Sequence, residues 1–358
     1  MKNNHKEIIK RRKTRTVTVG GVKIGYGSPI VIQSMTNSST TDIAATLEQI
    51  DELYTAGCEL VRVAIPDKNA ASALDRIAGK SPIPVIADIH FDLTLAHMAI
   101  ENGAAKLRVN PGNIKDKKGL KILAQKAREY KVPIRVGVNA GSLARKTVIK
   151  YGWASSQALV ESAVSYINYF EQNDFQDLVI SLKTSDVYST ILSYRMIAEK
   201  TSYPLHLGVT AAGPWKSGII KGSIGIGSLL ADGLGDTIRV SLTAHPVEEV
   251  KAAKMILQSL GLRCFGPELI SCPTCGRCEI DLVTLVSEVE GMLSHMEKNF
   301  KIAVMGCVVN GPGEAREADL GLSAGKKSGI LFKKGKVIQT VPLENLLKAF
   351  QAEIRKLN

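Results

Sequence analysis

The chain has 358 residues, 45% of them hydrophobic and 22% charged, with a formal net charge of +12 and a mean hydropathy of +0.05. That balance excludes a disordered tail, which lacks the apolar content to bury a core. No apolar run of about 18 residues occurs, so no membrane-spanning helix is expected. The basic N-terminus MKNNHKEIIKRRKTRTVTVGG has neither the apolar stretch nor the small-residue cleavage site of a secretory signal. The expectation is a soluble cytoplasmic protein of about two domains.

The charge is unevenly placed. Residues 1–15 hold seven Lys/Arg and one acid, and residues 321–358 hold eight and two, so residues 16–320 are formally neutral. Aromatic residues make up only 5%, too few for the stacking platforms of single-strand binders. The basic ends read as solvated faces, and no nucleic-acid partner is expected. The C-terminal excess, with Lys333, Lys334 and Lys336, suits the steering of an acidic electron-transfer partner.

From residue 29 onward a short β-branched run alternates with a helical stretch. The runs are PIVIQSM (29–35), LVRVAIPD (60–67), PVIADIHFD (84–92), KLRVNPGN (106–113), PIRVGVNAGSL (133–143), DLVISLKTSD (177–186), PLHLGVTAAG (204–213) and DTIRVSLTA (236–244). Between the first two, IAATLEQIDELYTAG places Ile43, Leu47, Ile50 and Leu53 on one helical face. Continuously apolar strands alternating with helices predict a parallel sheet covered by helices, and eight units match a (β/α)₈ barrel. A doubly wound dinucleotide fold needs G-x-G-x-x-G after its first strand. The nearest candidate, at Gly225 and Gly227, lacks the third glycine and lies far along the chain.

After the helix VEEVKAAKMILQSLG (247–261) the pattern changes to a cysteine loop, a helix over 280–298, a strand at KIAVMGCVVNG, a hairpin at GILFKKGKVIQTV and a closing helix. The expected fold class is therefore α/β. A TIM barrel over residues 1–260 is followed by a small α+β domain over 261–358.

Two groups of residues carry chemistry. Four barrel strands contain an apolar-Arg-Val triplet, with Arg62, Arg108, Arg135 and Arg239, and a fifth carries Lys183. Arginine within a buried strand costs several kcal/mol unless an anion meets it, and its fork suits phosphate oxygens. Some of these cations have possible internal partners in Asp88, Asp186 and Asp236, but the cations outnumber the acids. Asn110, Asn113, Asn139, Ser142, His90, His206 and Ser241 extend the pocket, each histidine being more ordinarily a structural residue.

The second group is Cys272-Pro-Thr-Cys275-Gly-Arg-Cys278, with Cys307 and Glu314 in MGCVVNGPGE. Consecutive C-x-x-C spacings suit tetrahedral zinc or an iron–sulfur cluster. Glu314 offers an exchangeable oxygen ligand, more useful at a reactive iron than in a closed zinc site. Cys58 and Cys264 read as ordinary buried or half-buried thiols.

With these motifs, and with VIQSMTN, VIADIHF, LRVNPGN, IGIGSLLADGLGDTIRVSLT, ISCPTCGR and GCVVNGPGEAREADLG, essentially the whole chain resembles the 4-hydroxy-3-methylbut-2-enyl diphosphate synthases. These are reductive iron–sulfur enzymes of the methylerythritol phosphate route to isoprenoids. The resemblance implies a 4Fe–4S cluster held by Cys272, Cys275, Cys307 and the carboxylate of Glu314. It implies that Arg62, Arg108, Arg135, Asn139, Lys183 and Ser241 hold the cyclic diphosphate. Flavodoxin or ferredoxin is the implied electron donor. A head-to-tail homodimer, in which one subunit's cluster domain caps the other's barrel, is the implied assembly. Two departures stand out. Ala211 replaces the glutamate of the family's VTEAG, which implies impaired proton delivery, and Cys278 is a rival fourth ligand. The alternatives are a phosphate-binding TIM-barrel transferase or lyase with a structural zinc module, and a basic nucleic-acid-binding protein with a zinc domain.

Overall fold

The structure is a computed structural model that describes residues 9–357 apart from 111, 113, 115, 144, 152–154, 279, 308–312 and 314. The chain divides into two compact units, Met1–Arg263 and Cys264–Asn358.

The first unit opens with a small antiparallel hairpin, β1 (Val17–Val19) and β2 (Val22–Ile24), turned at Gly20 and Gly21. Both glycines have positive φ, the geometry of a tight two-residue hairpin. The next eight strands are β3 (Val31–Met35), β4 (Leu60–Ala64), β5 (Val85–Ile89), β6 (Lys106–Val109), β7 (Ile134–Asn139), β8 (Leu178–Lys183), β9 (His206–Leu207) and β10 (Thr237–Ile238). They lie in the order β8-β7-β6-β5-β4-β3-β10-β9, every pair parallel, and a bridge between Ile180 and Leu205 joins the two end strands into a ring. Among the described residues this is the eight-stranded barrel the periodicity predicts, each strand falling within its expected run.

Aspartates at the strand–helix junctions start five of the helices. Asp42, Asp67, Asp92, Asp116 and Asp186 accept from the backbone N–H of Ala45, Ala70, Thr94, Gly119 and Ser189, respectively, satisfying donors that the helix itself leaves unpaired. The hairpin plugs the bottom of the ring, where Val17, Val19 and Ile24 pack against Val31, Leu60, Ile86 and Val179. Among the described residues of the basic N-terminal segment, Arg11, Arg12 and Arg15 are not merely solvated. Arg11 pairs with Asp236 at 3.1 Å, Arg12 donates to the Tyr203 carbonyl at 2.8 Å, and Arg15 lies over the Tyr203 ring at 4.7 Å. These arginines tie the segment to the barrel.

The second unit is a five-stranded sheet, β11 (Glu268–Ser271), β12 (Lys301–Met305), β13 (Leu320–Ala324), β14 (Ser328–Lys333) and β15 (Lys336–Pro342), in that spatial order. The first three strands are parallel and the rest antiparallel. Helices Leu282–Leu293 and Leu343–Arg355 bury Val289, Leu293, Leu346, Phe350 and Ile354 against Ile302, Val304, Leu320 and Leu322. Strands β11 and β13 are absent from the sequence reading, being short and flanked by loop-rich sequence. No described helix is long and apolar enough to cross a membrane.

Candidate active site in the barrel lumen

Side chains alternate along a strand, so Arg62, Asp88, Arg108, Arg135 and Lys183 share the inward face with the plug residues two or four positions below them. All five are buried. Asp88 lies among the cations: its Oδ1 is 3.0 Å from Arg108 Nη1, and its Oδ2 is 3.5 Å from Arg62 Nε. Those two guanidinium groups, with a hydrogen bond from His90, hold the Asp88 carboxyl well below the usual carboxylate range despite its burial. His90 stands half exposed beside this group. Its Nε2 is 3.2 Å from Arg108 Nη1 and 3.5 Å from Asp88 Oδ2, so a donor and an acceptor both face the same ring nitrogen.

Arg135 and Lys183 have no comparable anion among the described residues. Arg108 and Arg135 are register partners on adjacent strands, a like-charge pair that a sheet ordinarily avoids. Arg135 Nε and Nη1 have no partner among the described residues. Burial first, then Arg62 and Arg108, push the Arg135 guanidinium well below its ordinary value. Lys183 is lowered in the same way, by burial and then by Arg135, Arg62, Arg239 and Arg108. A barrel interior that concentrates repelling cations is built for a polyanion, because only an arriving negative charge relieves both burial and repulsion.

Glycines make room for this arrangement. A methyl group added at Gly137 would sit 3.3 Å from Arg108 Nε, and one at Gly208 would sit 2.6 Å from Lys183 Nζ. Asn139 ends β7 opposite Lys183, Asn110 is buried with an unpartnered Oδ1, and Ser241 follows β10 half-buried. His206 is fully buried, with Nδ1 3.4 Å from Thr237 Oγ1. The side chain of Ser142 and all of Asn113 lie outside the described residues.

Three placements differ from the sequence reading. Asp186 caps the helix Val187–Ala198 and Asp236 pairs with Arg11, so neither neutralises a lumen cation. Arg239 is gripped by Glu249, through Nε and Nη2 at 3.1 Å each, and the same carboxylate accepts from Ser34 Oγ and the Leu242 N–H. Glu249 was missed because an acid in the first turn of a helix reads as ordinary dipole complementation. Lys106 was missed although KLRV alternates Lys106 and Arg108 onto one face, the signal that exposes it.

In the second unit, β11 and β12 run parallel, with Ser271 opposite Val304. Cys272 follows β11 and Cys307 follows β12, so topology brings both to one sheet edge. The Gly306 N–H donates to Cys272 Sγ at 3.2 Å, and a methyl group added at Gly306 would fall 2.7 Å from Cys278 Sγ. Cys275 is exposed, and hydrogen bonds from the Arg277 backbone and side chain lower its thiol. Cys278 donates to the Ile280 carbonyl at 3.4 Å and packs against the domain core. The Cys307 carbonyl accepts from Ser323 Oγ of neighbouring β13. Among the described residues no three His, Cys, Asp or Glu side chains are gathered closely enough to hold a metal ion. Glu314 lies outside the described residues. In donor chemistry, and in the shared edge around Gly306, the cysteines fit an iron–sulfur group.

Cys58 is buried, which pushes its thiol up to about 12. Cys264 is exposed rather than half-buried, accepting from Asn299 Nδ2 at 3.2 Å. Lys333, Lys334 and Lys336 surround the β14–β15 turn, where the Lys334 N–H donates to the Ala318 carbonyl. That is the edge where β13 begins, whereas Cys307 lies at the edge where β12 and β13 end. Five strand residues, roughly 16 Å, separate the lysines from the cysteines. The lysine patch therefore lies at the opposite edge of the sheet from the cysteines.

A parallel barrel with converging buried cations in its lumen, followed by a cysteine-bearing sheet domain, is the layout of a barrel enzyme with a candidate anion site and a candidate metal module. Comparison with known proteins makes the class particular. Residues 14–254 match the GcpE TIM-barrel domain and residues 268–356 the GcpE C-terminal domain, so the chain belongs to the GcpE family. It is 52% identical, over 98% of its length and 99% of the relative's, to the 4-hydroxy-3-methylbut-2-en-1-yl diphosphate synthase (flavodoxin) of Caldanaerobacter subterraneus subsp. tengcongensis. The synthase of the same name from Clostridium perfringens is 52% identical over 95% of this chain and 97% of its own. In fold alone, the barrel is similar to Yersinia pestis dihydropteroate synthase, with a TM-score of 0.50 at 12% identity, covering 69% of this chain and 98% of that one.

Proposed function

We propose that this chain catalyses the reductive ring opening and dehydration of 2-C-methyl-D-erythritol 2,4-cyclodiphosphate to 4-hydroxy-3-methylbut-2-enyl diphosphate, an isoprenoid precursor, with flavodoxin as electron donor. A ferredoxin is the alternative donor, and the reaction is placed in the cytoplasm. The observation that carries this reading is the convergence of Arg62, Arg108, Arg135 and Lys183 on one another in the lumen, where Asp88 contacts only Arg62 and Arg108. The cations bind the two phosphates. Opening the ring leaves charge on a phosphate oxygen, and donors already aimed at that oxygen stabilise it as it forms. Asp88 holds Arg62 and Arg108 in place, and Glu249 does the same for Arg239. Asn139 and Ser241 supply neutral donors at the strand ends.

A 4Fe–4S cluster held by Cys272, Cys275 and Cys307, with Glu314 as fourth ligand, supplies electrons one at a time when bound. Anaerobically reconstituted protein is expected to be brown, with about four irons and four sulfides per chain, and to turn over the cyclic diphosphate with reduced flavodoxin. A colourless protein that binds zinc and lacks reductive turnover would sink this reading.

A head-to-tail homodimer is part of the proposal. Phe91, Ile149, Tyr188 and Trp215 are large apolar side chains left exposed on segments that follow β5, β7, β8 and β9, on the rim where the strands end. Exposed apolar residues gathered at one rim support a covering partner. Inactive Arg135→Met and Cys307→Ala proteins, mixed under exchange, should regain about a quarter of wild-type turnover, since half the dimers then hold one intact site. No regain beside a demonstrated subunit exchange would place each active site within a single chain.

Ala211 lies beyond β9, exposed, with φ of 49°. Ala211→Glu should raise reductive turnover several-fold without added left-handed strain, since alanine already carries a Cβ at that φ. No gain beside an active parent would mean that another group moves the proton.

A further inference from the structure

Lys106 stands at the floor of the lumen. It shares the inward face of β6 with Arg108, lies two residues deeper, and has Ile86 of the plug layer as its register partner. It is fully buried, and its Nζ has no hydrogen-bond partner among the described residues. The charges that act on it are Arg135 and Arg62, both of its own sign. His206, across the same floor, is buried with an unpartnered Nε2. The titratable groups described in this lumen are Arg62, Asp88, His90, Arg108, Arg135, Lys183 and His206, with Arg239 paired to Glu249 beside them; of the two carboxylates, Asp88 is engaged by Arg62 and Arg108 and Glu249 by Arg239. A structural lysine at such a place would be paired, because an isolated buried ammonium is among the costliest groups in a protein interior.

We propose that Lys106 is a charge-compensating residue of the diphosphate site, neutral in the empty lumen and protonated when phosphate groups enter it, so that substrate binding takes up a proton. The step is an acid–base one: the amine gains a proton from solvent as the phosphate oxygens arrive, and no other bond forms or breaks. Burial and the neighbouring guanidinium groups already push the amine well below the usual lysine range. A polyanion above it reverses the sign of the local field and restores the ammonium. The lumen thus avoids holding one more uncompensated cation while empty, yet presents it to the bound substrate. This inference rests on the diphosphate-binding reading of the lumen.

Isothermal titration of the full-length protein with the cyclic diphosphate, and separately with inorganic pyrophosphate, tests it in buffers of differing ionisation enthalpy. Wild type should take up protons on binding, with affinity falling about tenfold per pH unit for each proton taken up. Lys183 contributes its own share, so the count is read as a difference between proteins. Lys106→Met should take up about one proton fewer, bind about tenfold more weakly and melt at a higher temperature without ligand. Lys106→Arg, charged at every accessible pH, should show the same reduced count but a lower ligand-free melting temperature. An unchanged proton count in both variants overturns the inference. A ligand-free melting temperature that falls in Lys106→Met also overturns it, by marking the lysine as structural. Failure of wild type to bind either ligand would instead overturn the diphosphate reading itself.

Discussion

Arg135→Met should lower kcat/KM for the cyclic diphosphate by about 10²–10³-fold while leaving the ligand-free protein as stable as wild type, or more so. Removing one partner of a buried, hydrogen-bonded charge pair costs about 2–5 kcal/mol, and each 1.4 kcal/mol is a factor of ten. In the empty barrel Arg135 gains little from its surroundings. Its Nε and Nη1 are unpartnered, it is 2% exposed, and Arg108 lies beside it in register. Methionine fills the space without the charge, so the folded barrel loses a repulsion and the substrate loses a partner. Steady-state kinetics with reduced flavodoxin, set beside a thermal melt, separates the two effects. An unchanged kcat/KM, or a large drop in melting temperature with it, would make Arg135 a structural residue and sink the anion-site reading.

Asp88→Asn is expected to act in the opposite sense, on stability first. It removes the one carboxylate that both Arg62 and Arg108 contact and leaves two buried guanidinium groups without a counter-charge. Breaking a buried pair in this way costs about 3–5 kcal/mol. For a unit of this size that is a fall of roughly 10 °C in the barrel's melting temperature. Pyrophosphate should restore much of the loss, since a bound polyanion supplies the missing charge and stabilises by mass action. The pH dependence follows from the direction of the shift. The folded carboxyl is held below its unfolded value of about 3.9, so its contribution is complete above about pH 4 and is lost as pH falls towards the folded value. The gap between wild type and Asp88→Asn should therefore be constant at neutral pH and close below about pH 4. A variant melting within about 2 °C of wild type at pH 7 would show that the lumen cations do not depend on Asp88.

The sequence by itself determined the barrel. Continuously apolar strands such as LVRVA and VIADI, separated by amphipathic helices, admit few other arrangements, because a strand buried on both faces must lie under helices. It also determined the chemical kind of both functional groups. An arginine in the middle of a buried strand calls for an anion wherever the chain is placed, and the 272–278 cysteine spacing suits a soft metal or a cluster. What tertiary structure alone decided was which charges meet. Asp88, Asp186 and Asp236 look alike as strand-end acids, yet one faces the lumen, one caps a helix and one anchors Arg11. Arg239 looks like Arg135, but Glu249, ten residues further on, reaches it. The alternation in KLRV puts Lys106 on the face of Arg108, but only closure of the ring places its Nζ above the hydrophobic plug with no partner among the described residues. These differences arise because electrostatic energy depends on distance and burial, which neither local sequence nor periodicity specifies.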